Sequence, residues 1–306
     1  MKAAITIGTR KSMLALWQSN YIKQRLEEEY PGIQVRLQHI VTKGDKILDV
    51  PLSKIGGKGL FTKEIETALL DGEADFAVHS LKDMPTKLPE GLCLTVITQR
   101  ALSGDAFVSN TFASFAALPR GAILGTSSLR RKAQLLAIRP DLDIRDLRGN
   151  VDTRLRKLDE GKYEAIILAA AGLTRLGYGH RIREILPCSV CLPAVGQGAL
   201  AIECREDNTE IRKMLAFLND GVTKSCTEAE RAFLGLVEGG CQVPVGVHAE
   251  IRENVMHIEA IIASLDGQTL LRDRIEGAPS EAVPLGVTLG RRMLDQGGRK
   301  ILSAIL

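Results

Sequence analysis

Ala4-Ile5-Thr6-Ile7-Gly8-Thr9-Arg10-Lys11-Ser12-Met13-Leu14-Ala15-Leu16-Trp17-Gln18 begins with a short apolar run that reads as a strand and passes through a polar turn into a helix. Ser12 is placed to cap that helix. The spacing of Met13, Leu14, Leu16, Trp17, Tyr21, Ile22 and Leu26 carries it to about Tyr30, where Pro31-Gly32 stops it. Ile33, Val35 and Leu37 then alternate as a second strand. Strand, capped helix and strand in immediate succession predict α/β layering.

Working outward, Thr62 is placed to cap a helix to Leu70, and residues 74–78, 92–97 and 105–109 read as strands, with a crossing between domains near 100–104. The same logic repeats in a second unit: strand 122–124, helix from Ser128, strand 143–146, helix 151–158 and strand 164–169. A glycine-rich stretch within 194–202 carries the chain back. From Thr227 the pattern changes. Thr227 and Glu230 read as a capping box ahead of a helix. Strands at 247–251, 256–263 and 269–274 follow, the last two joined by an Asp266-Gly267 turn, and a helix over 283–294 completes a small α+β domain.

The length, 306 residues, allows two domains or three small ones at about 150 residues per typical domain. Hydrophobic residues at 45% and charged residues at 25% exclude a disordered or fibrous chain. The longest apolar run, 165–173, falls well short of the roughly 18 residues a membrane span needs. The run 3–7 is too short for a signal-peptide core, so a cytoplasmic protein is expected. Cys93, Cys188, Cys191, Cys204, Cys226 and Cys241 are scattered through a chain large enough not to need staples, which fits a reducing compartment.

Net charge is only +3, but residues 120–156 carry nine basic residues against four acids, a local +5. Most of these are arginines, whose planar guanidinium grips an oxyanion with two donors, so the segment predicts a site for a ligand with several carboxylates or phosphates. Gly125-Thr126-Ser127-Ser128-Leu129-Arg130-Arg131 joins a strand to a helix and offers the parts of an anion site; Leu147-Arg148-Gly149-Asn150 with Arg154 repeats the theme one unit later. An ordinary capped helix with a basic face is the bland alternative for each. Lys82 and Asp83, in Val78-His79-Ser80-Leu81-Lys82-Asp83-Met84-Pro85, follow a buried strand, where ligands of open α/β sheets gather; a solvated ion pair is the alternative. Lys54-Ile55-Gly56-Gly57-Lys58-Gly59-Leu60-Phe61 lacks P-loop spacing and reads equally as a mobile lid, a phosphate cradle or a plain connection. Cys188-Ser189-Val190-Cys191 has CxxC spacing without a second pair or a histidine pair, so no metal is expected. Cys241, in the turn Glu238-Gly239-Gly240-Cys241-Gln242-Val243-Pro244, could be a covalent attachment point, a nucleophile or a packed thiol. The histidines at 39, 79, 180, 248 and 257 form no triad and read as structural.

The segments 8–18, 54–61, 78–85, 125–131 and 147–154, together with Leu192-Pro193-Ala194-Val195-Gly196-Gln197-Gly198-Ala199 and 238–246, occur in this order in one family, and the likeness spans essentially the whole chain. The sequence resembles the porphobilinogen deaminase family. The resemblance implies two α/β domains like the lobes of periplasmic binding proteins plus a small C-terminal α+β domain, placed here at 1–99 with 199–218, at 100–198 and at 219–306. It implies a transferase of tetrapyrrole and heme biosynthesis, a cytoplasmic monomer that joins four porphobilinogens head to tail with release of ammonia and hydrolyses the product free as hydroxymethylbilane. The reaction is primed by a dipyrromethane cofactor attached as a thioether to Cys241. Asp83 matches the catalytic carboxylate that stabilises the cationic azafulvene and shuttles a proton. Lys82, Thr126, Ser128, Arg130, Arg131 and Gln197 match cofactor contacts, Arg10, Ser12, Arg148, Arg154 and Arg175 match substrate contacts, and Lys54, Lys58 and Phe61 belong to a lid.

Two other classes share some of these features. A non-catalytic anion receptor would have the two-lobed fold but need neither Asp83 nor an attached cofactor. A nucleic-acid binder could use the basic segment, yet aromatic residues are only 4% and most of the chain is not basic. Neither nucleic acid nor membrane is therefore expected as a partner.

Overall fold

The computed structural model describes residues 4–46, 62–237 and 243–305. Contacts divide the chain into two compact units, Met1–Arg100 with Ala199–Lys224, and Ala101–Gly198 with Ser225–Leu306.

In the first unit, β1 (Ala4–Thr9) leads through the Ser12 cap into α1 (Met13–Glu29), and β2 (Gln34–His39) returns beside β1 in parallel. A helical turn, α2 (Lys43–Lys46), precedes α3 (Lys63–Leu70), which leads to β3 (Phe76–Ser80) and β4 (Leu92–Ile97). The Ser12 hydroxyl accepts from the Ala15 N–H at 3.3 Å, as expected of an N-cap. The buried face of α1 keeps only part of its apolar spacing. Gln18, Ser19, Ile22 and Leu26 face the sheet while Met13 and Tyr21 are exposed. Ser19 donates to Thr9 Oγ1 at 2.8 Å and Gln18 donates to Ser80 Oγ at 2.7 Å, so polar side chains with local partners displace apolar ones from the sheet face.

In the second unit, β5 (Asp105–Val108) and β6 (Ile123–Gly125) precede α4 (Leu129–Ile138), β7 (Asp143–Arg145), α5 (Val151–Asp159), β8 (Ala165–Ala169), α6 (Ala170–Arg175) and β9 (Glu184–Leu186). Gly125 at the end of β6 has no room for a side chain, since a Cβ would lie 2.8 Å from the Tyr163 ring and 2.9 Å from Ile166. The chain then re-enters the first unit as β10 (Leu200–Arg205), followed by α7 (Thr209–Leu215).

The two sheets have one plan. The first is ordered β2-β1-β3-β10-β4 and the second β7-β6-β8-β5-β9. In each, four strands run in one direction and the fourth in order, β10 or β5, runs antiparallel to both its neighbours. This is the α/β class expected from the alternation.

The C-terminal part departs from the sequence reading at its start. Helix α8 spans Gly221–Leu236, so Thr227 and Glu230 lie inside it and form no capping box. Asp220 caps the start instead, its Oδ1 accepting from the Thr223 N–H at 2.7 Å. Glu230 is fully buried and accepts from the N–H groups of Gly196 at 2.7 Å and Ala249 at 2.8 Å, a tertiary role that local spacing does not reveal. The meander β11 (Val245–Arg252), β12 (Val255–Ala263) and β13 (Leu270–Gly277) packs on α8 and α9 (Ala282–Met293) through Phe233, Val247, Met256, Ile258, Leu289 and Met293. Within the second unit it also meets α4, where Gly267, at φ 72° in the Asp266-Gly267 turn, approaches so closely that a Cβ would lie 2.5 Å from the Ala133 carbonyl.

Candidate active site

At the carboxyl ends of β1 and β3 a cavity is lined by Arg10, Ser12, Gln18, Thr62, His79, Ser80 and Asp83, among others. Ligands of open α/β sheets bind at this end of the strands. Asp83 closes a short turn after β3; it is exposed and makes no hydrogen bond or ion pair among the described residues. An exposed carboxylate without a partner is available to a cation. Lys82 beside it is half-buried. Arg10 reaches Asp45 with Nε 3.1 and 3.2 Å from the two carboxylate oxygens. Burial pushes the Asp45 carboxyl up, but hydrogen bonds from Arg10 and Thr42 outweigh it and hold the group below its ordinary value.

In the second unit the turn after β6 is organised as the sequence suggests. Ser128 is the N-cap of α4, accepting from the Arg131 N–H, and the Thr126 Oγ1 accepts from the Ser128 N–H at 3.3 Å. The guanidinium groups of Arg130 and Arg131 turn inward. Both residues are buried, and they converge on Asp105, which is fully buried at the start of β5. Arg130 Nη1 lies 2.6 Å from Asp105 Oδ2, Arg131 Nη2 lies 2.6 Å from Oδ1, and Gln197 Nε2 donates to Oδ1 at 3.0 Å. Arg130 also donates to the Leu192 carbonyl and Arg131 to that of Ile167. Burial drives the Asp105 carboxyl up, yet the two guanidinium charges win and hold it well below the carboxylate range. Cys191, whose thiol donates to Asp105 at 3.3 Å, is pushed up to about 12 by burial and by that charge. The cluster thus draws together Arg130, Arg131 and Gln197, expected as ligand contacts, around an acid the sequence reading passed over. The signal available was an aspartate leading the apolar strand Ala106-Phe107-Val108.

Arg148 behaves differently. It precedes α5 on a half-buried turn, and its Nη1 is buried with no hydrogen-bond partner among the described residues. The Asn150 side chain makes no capping bond at the start of α5. An orphaned guanidinium nitrogen suits a carboxylate. Arg154 Nε donates to the Gly149 carbonyl at 2.7 Å and Arg175 Nη2 to that of Gly198 at 2.7 Å. Cys241, Lys54, Lys58 and Phe61 lie outside the described residues. Cys188 and Cys191 are free thiols, and no cluster of three or more metal-ligating side chains occurs among the described residues.

Taken unit by unit, the first offers an exposed carboxylate at its strand ends, a group that suits a cation, and the second an orphaned guanidinium nitrogen, a group that suits an acidic ligand. Residues 5–213 match the family model described as porphobilinogen deaminase, dipyromethane cofactor binding domain, and residues 224–295 match that of the porphobilinogen deaminase C-terminal domain. Porphobilinogen deaminase from Desulforamulus reducens is 50% identical over 305 residues, covering 100% of this chain and 99% of that protein. The enzyme of the same name from Geobacter sulfurreducens is 52% identical over 301 residues, covering 98% and 94%. The chain belongs to the porphobilinogen deaminase family of transferases. Among solved structures, a nutrient binding protein from Burkholderia cenocepacia bound to methionine overlaps 69% of this chain and 90% of its own at TM-score 0.45 and 15% identity. The BvgS periplasmic VFT2 domain from Bordetella pertussis overlaps 70% and 85% at TM-score 0.41 and 15% identity.

Proposed function

We propose that this chain carries out the family's condensation with Asp83 as its catalytic carboxylate. The exposed, unpartnered position of Asp83 in the cavity at the end of β3 is the observation that carries the reading. Porphobilinogen bears acetate and propionate groups, and four units are joined head to tail with loss of ammonia before hydrolysis releases the linear tetrapyrrole. Cys241 would hold the dipyrromethane as a thioether, and the bound group would supply the pyrrole carbon to which the first unit is joined. The described donor set fits such a polycarboxylated group, because Arg148 Nη1 is buried without a hydrogen-bond partner among the described residues. Arg10, Ser12, Arg148, Arg154 and Arg175 orient substrate carboxylates. Lys82, Thr126, Ser128 and Gln197 hold the cofactor side. Arg130 and Arg131 serve it mainly by fixing the α4 turn through Asp105, and Lys54, Lys58 and Phe61 cover the ligand. Asp83 stabilises the azafulvene cation left when ammonia departs, since a fixed negative charge is worth more where charge develops than in water.

The working unit is a cytoplasmic monomer with the divisions 1–99 with 199–218, 100–198 and 219–306. No described helix is long and apolar enough to cross a membrane. Nucleic acid is disfavoured because the basic segment is answered in part by acids, Arg130 and Arg131 by Asp105, Arg139 by Asp141 and Arg145 by Asp143. Intact-mass measurement tests the reading: wild-type protein should exceed its sequence mass by two linked pyrroles, Cys241→Ser should not, and Cys188→Ser and Cys191→Ser should. An unmodified mass in active wild-type protein overturns it.

A further inference from the structure

The cavity of Asp83 has a second group whose chemistry the family reading leaves unused. On β3, His79 lies opposite Ala201 of β10, and Glu203 of β10 lies opposite Ala77, so strand alternation puts His79 and Glu203 on one face of the sheet. That face is covered by α3, whose Ile65 and Leu69 pack on Ala77 and which brings Glu66 to the same place. Glu203 is fully buried, and His79 and Glu66 are 8% exposed. The His79 Nε2 is 3.1 Å from Glu203 Oε2, but the approach is off the line of a well-formed hydrogen bond, and neither oxygen of Glu203 has another hydrogen-bond donor among the described residues. Burial pushes the Glu66 carboxyl up, and the negative charge of Glu203 adds to the effect while His79 opposes it. A buried carboxylate beside a buried imidazole, both incompletely satisfied, calls for an explanation. With Nε2 turned to Glu203, Nδ1 is left for the cavity that His79 lines.

We propose that His79, oriented by Glu203, is the proton acceptor of the coupling step, leaving Asp83 ionised beside the cation. The proposal rests on the function assigned above. Coupling forms a carbon–carbon bond between a pyrrole α-carbon and the methylene of the incoming azafulvene, and leaves the attacked ring positively charged with a hydrogen on that α-carbon. The C–H bond then breaks. Its electron pair restores the aromatic ring and its proton passes to Nδ1 of His79. The resulting imidazolium is neutralised by Glu203 and flanked by Glu66, and it shares the cavity lining with Asp83 and Arg10. The proton leaves with the ammonia released in the cycle, so each turn yields one ammonium ion. If Asp83 took the proton it would lose the charge that holds the cation, so two groups separate tasks that one carboxylate would perform in conflict. Glu203 acts only through His79 and is a positioning residue. Imidazole suits the acceptor role because it takes and gives protons near neutral pH.

The test uses holoenzyme and porphobilinogen deuterated at its free α-carbon. His79→Gln should lower turnover about a hundredfold or more, the scale of a lost general base, with little change in KM. Its deuterium isotope effect should rise above that of wild type to a primary effect, because C–H cleavage has become limiting. Asp83→Asn should slow turnover without that rise. Should His79→Gln not fold, Glu203→Gln is read by the same assay and should show a smaller loss with the same rise. An isotope effect unchanged from wild type in the folded variant overturns the proposal. A second readout needs no turnover: 15N NMR of the imidazoles should show the His79 ring with its proton on Nε2, in a signal that Glu203→Gln moves. A proton fixed on Nδ1 instead overturns the proposal. Wild-type enzyme that makes no tetrapyrrole would refute the assigned function itself, a separate outcome.

Discussion

Two aspartates on matching sheets show how the same fold plan serves opposite ends. Asp83 follows β3 in the first unit, exposed and without a described partner; Asp105 begins β5 in the second, fully buried and gripped by Arg130, Arg131 and Gln197. A carboxylate that is completely satisfied inside the protein has nothing left to offer a ligand, whereas one left unsatisfied at the mouth of a cavity costs little in water and is ready for a cation. Exchanging the two losses should separate chemistry from folding. Asp83→Asn should keep its melting temperature and lose about a hundredfold to a thousandfold in turnover, the scale of a lost electrostatic stabiliser of the transition state. Asp105→Asn should lose about 3–5 kcal/mol of stability, because two guanidinium charges remain buried without their counterion. Equal effects of the two variants on melting temperature would erase the distinction.

The local parts of this contrast were legible in the sequence and its long-range parts were not. Ser12 and Ser128 sit at strand-to-helix turns and cap as expected, because capping depends on residues three apart. Asp83 stands out for the same reason, as a polar residue just past a buried strand. The antiparallel places of β10 and β5 depend on where the chain returns from the other unit, which no periodicity encodes. Asp105 and Glu230 looked like ordinary strand and cap residues, since the guanidiniums and amide groups that satisfy them come from distant parts of the chain. His79 pairs with Glu203 of β10, which the chain reaches only after the whole of the second unit's sheet, so no local spacing joins the two.

The arginines divide along the same line. Arg148→Leu should leave stability unchanged or slightly higher, since it removes a buried nitrogen that has no partner. It should weaken porphobilinogen use by about tenfold to a hundredfold, the worth of a lost charge-assisted hydrogen bond of about 1.5–3 kcal/mol. Arg130→Leu should do the reverse and unfold at lower temperature before any effect on KM can be read, because Asp105 is left buried with half its counter-charge. A KM effect for Arg130→Leu at full stability would return that residue to direct ligand contact.

Acidity gives a milder probe. The folded carboxyl of Asp105 lies below its ordinary value of 3.8, so its contribution to stability is complete above that value and is lost as pH falls through and below it. Wild-type melting temperature should therefore drop between about pH 5 and pH 3 more steeply than that of Asp105→Asn, which has no such proton to take up. Asp83→Asn should track wild type across this range in a thermal melt, since the removed carboxylate has no folded partner to lose. Parallel curves for wild type and Asp105→Asn would show that the buried cluster does not govern acid unfolding.

The smallest difference lies in the two serine caps. Ser12 and Ser128 do the same work, each accepting from a backbone N–H three residues on, so Ser12→Ala and Ser128→Ala should each cost about 1 kcal/mol of stability. Their surroundings differ: Ser12 lines the Asp83 cavity, while the turn at Ser128 leads directly into the inward-facing pair Arg130 and Arg131. Ser12→Ala should therefore also raise KM for porphobilinogen, whereas Ser128→Ala should show its excess in stability, by loosening the first turn of α4 that holds both guanidiniums on Asp105. Glycine at each position separates the two effects, since it retains most of the capping preference without a hydroxyl. Ser12→Gly should recover stability but not KM, and Ser128→Gly should recover most of whatever Ser128→Ala lost. Recovery of both properties by Ser12→Gly would mean that the hydroxyl meets no ligand and that the first unit's cap, like the second's, is only a cap.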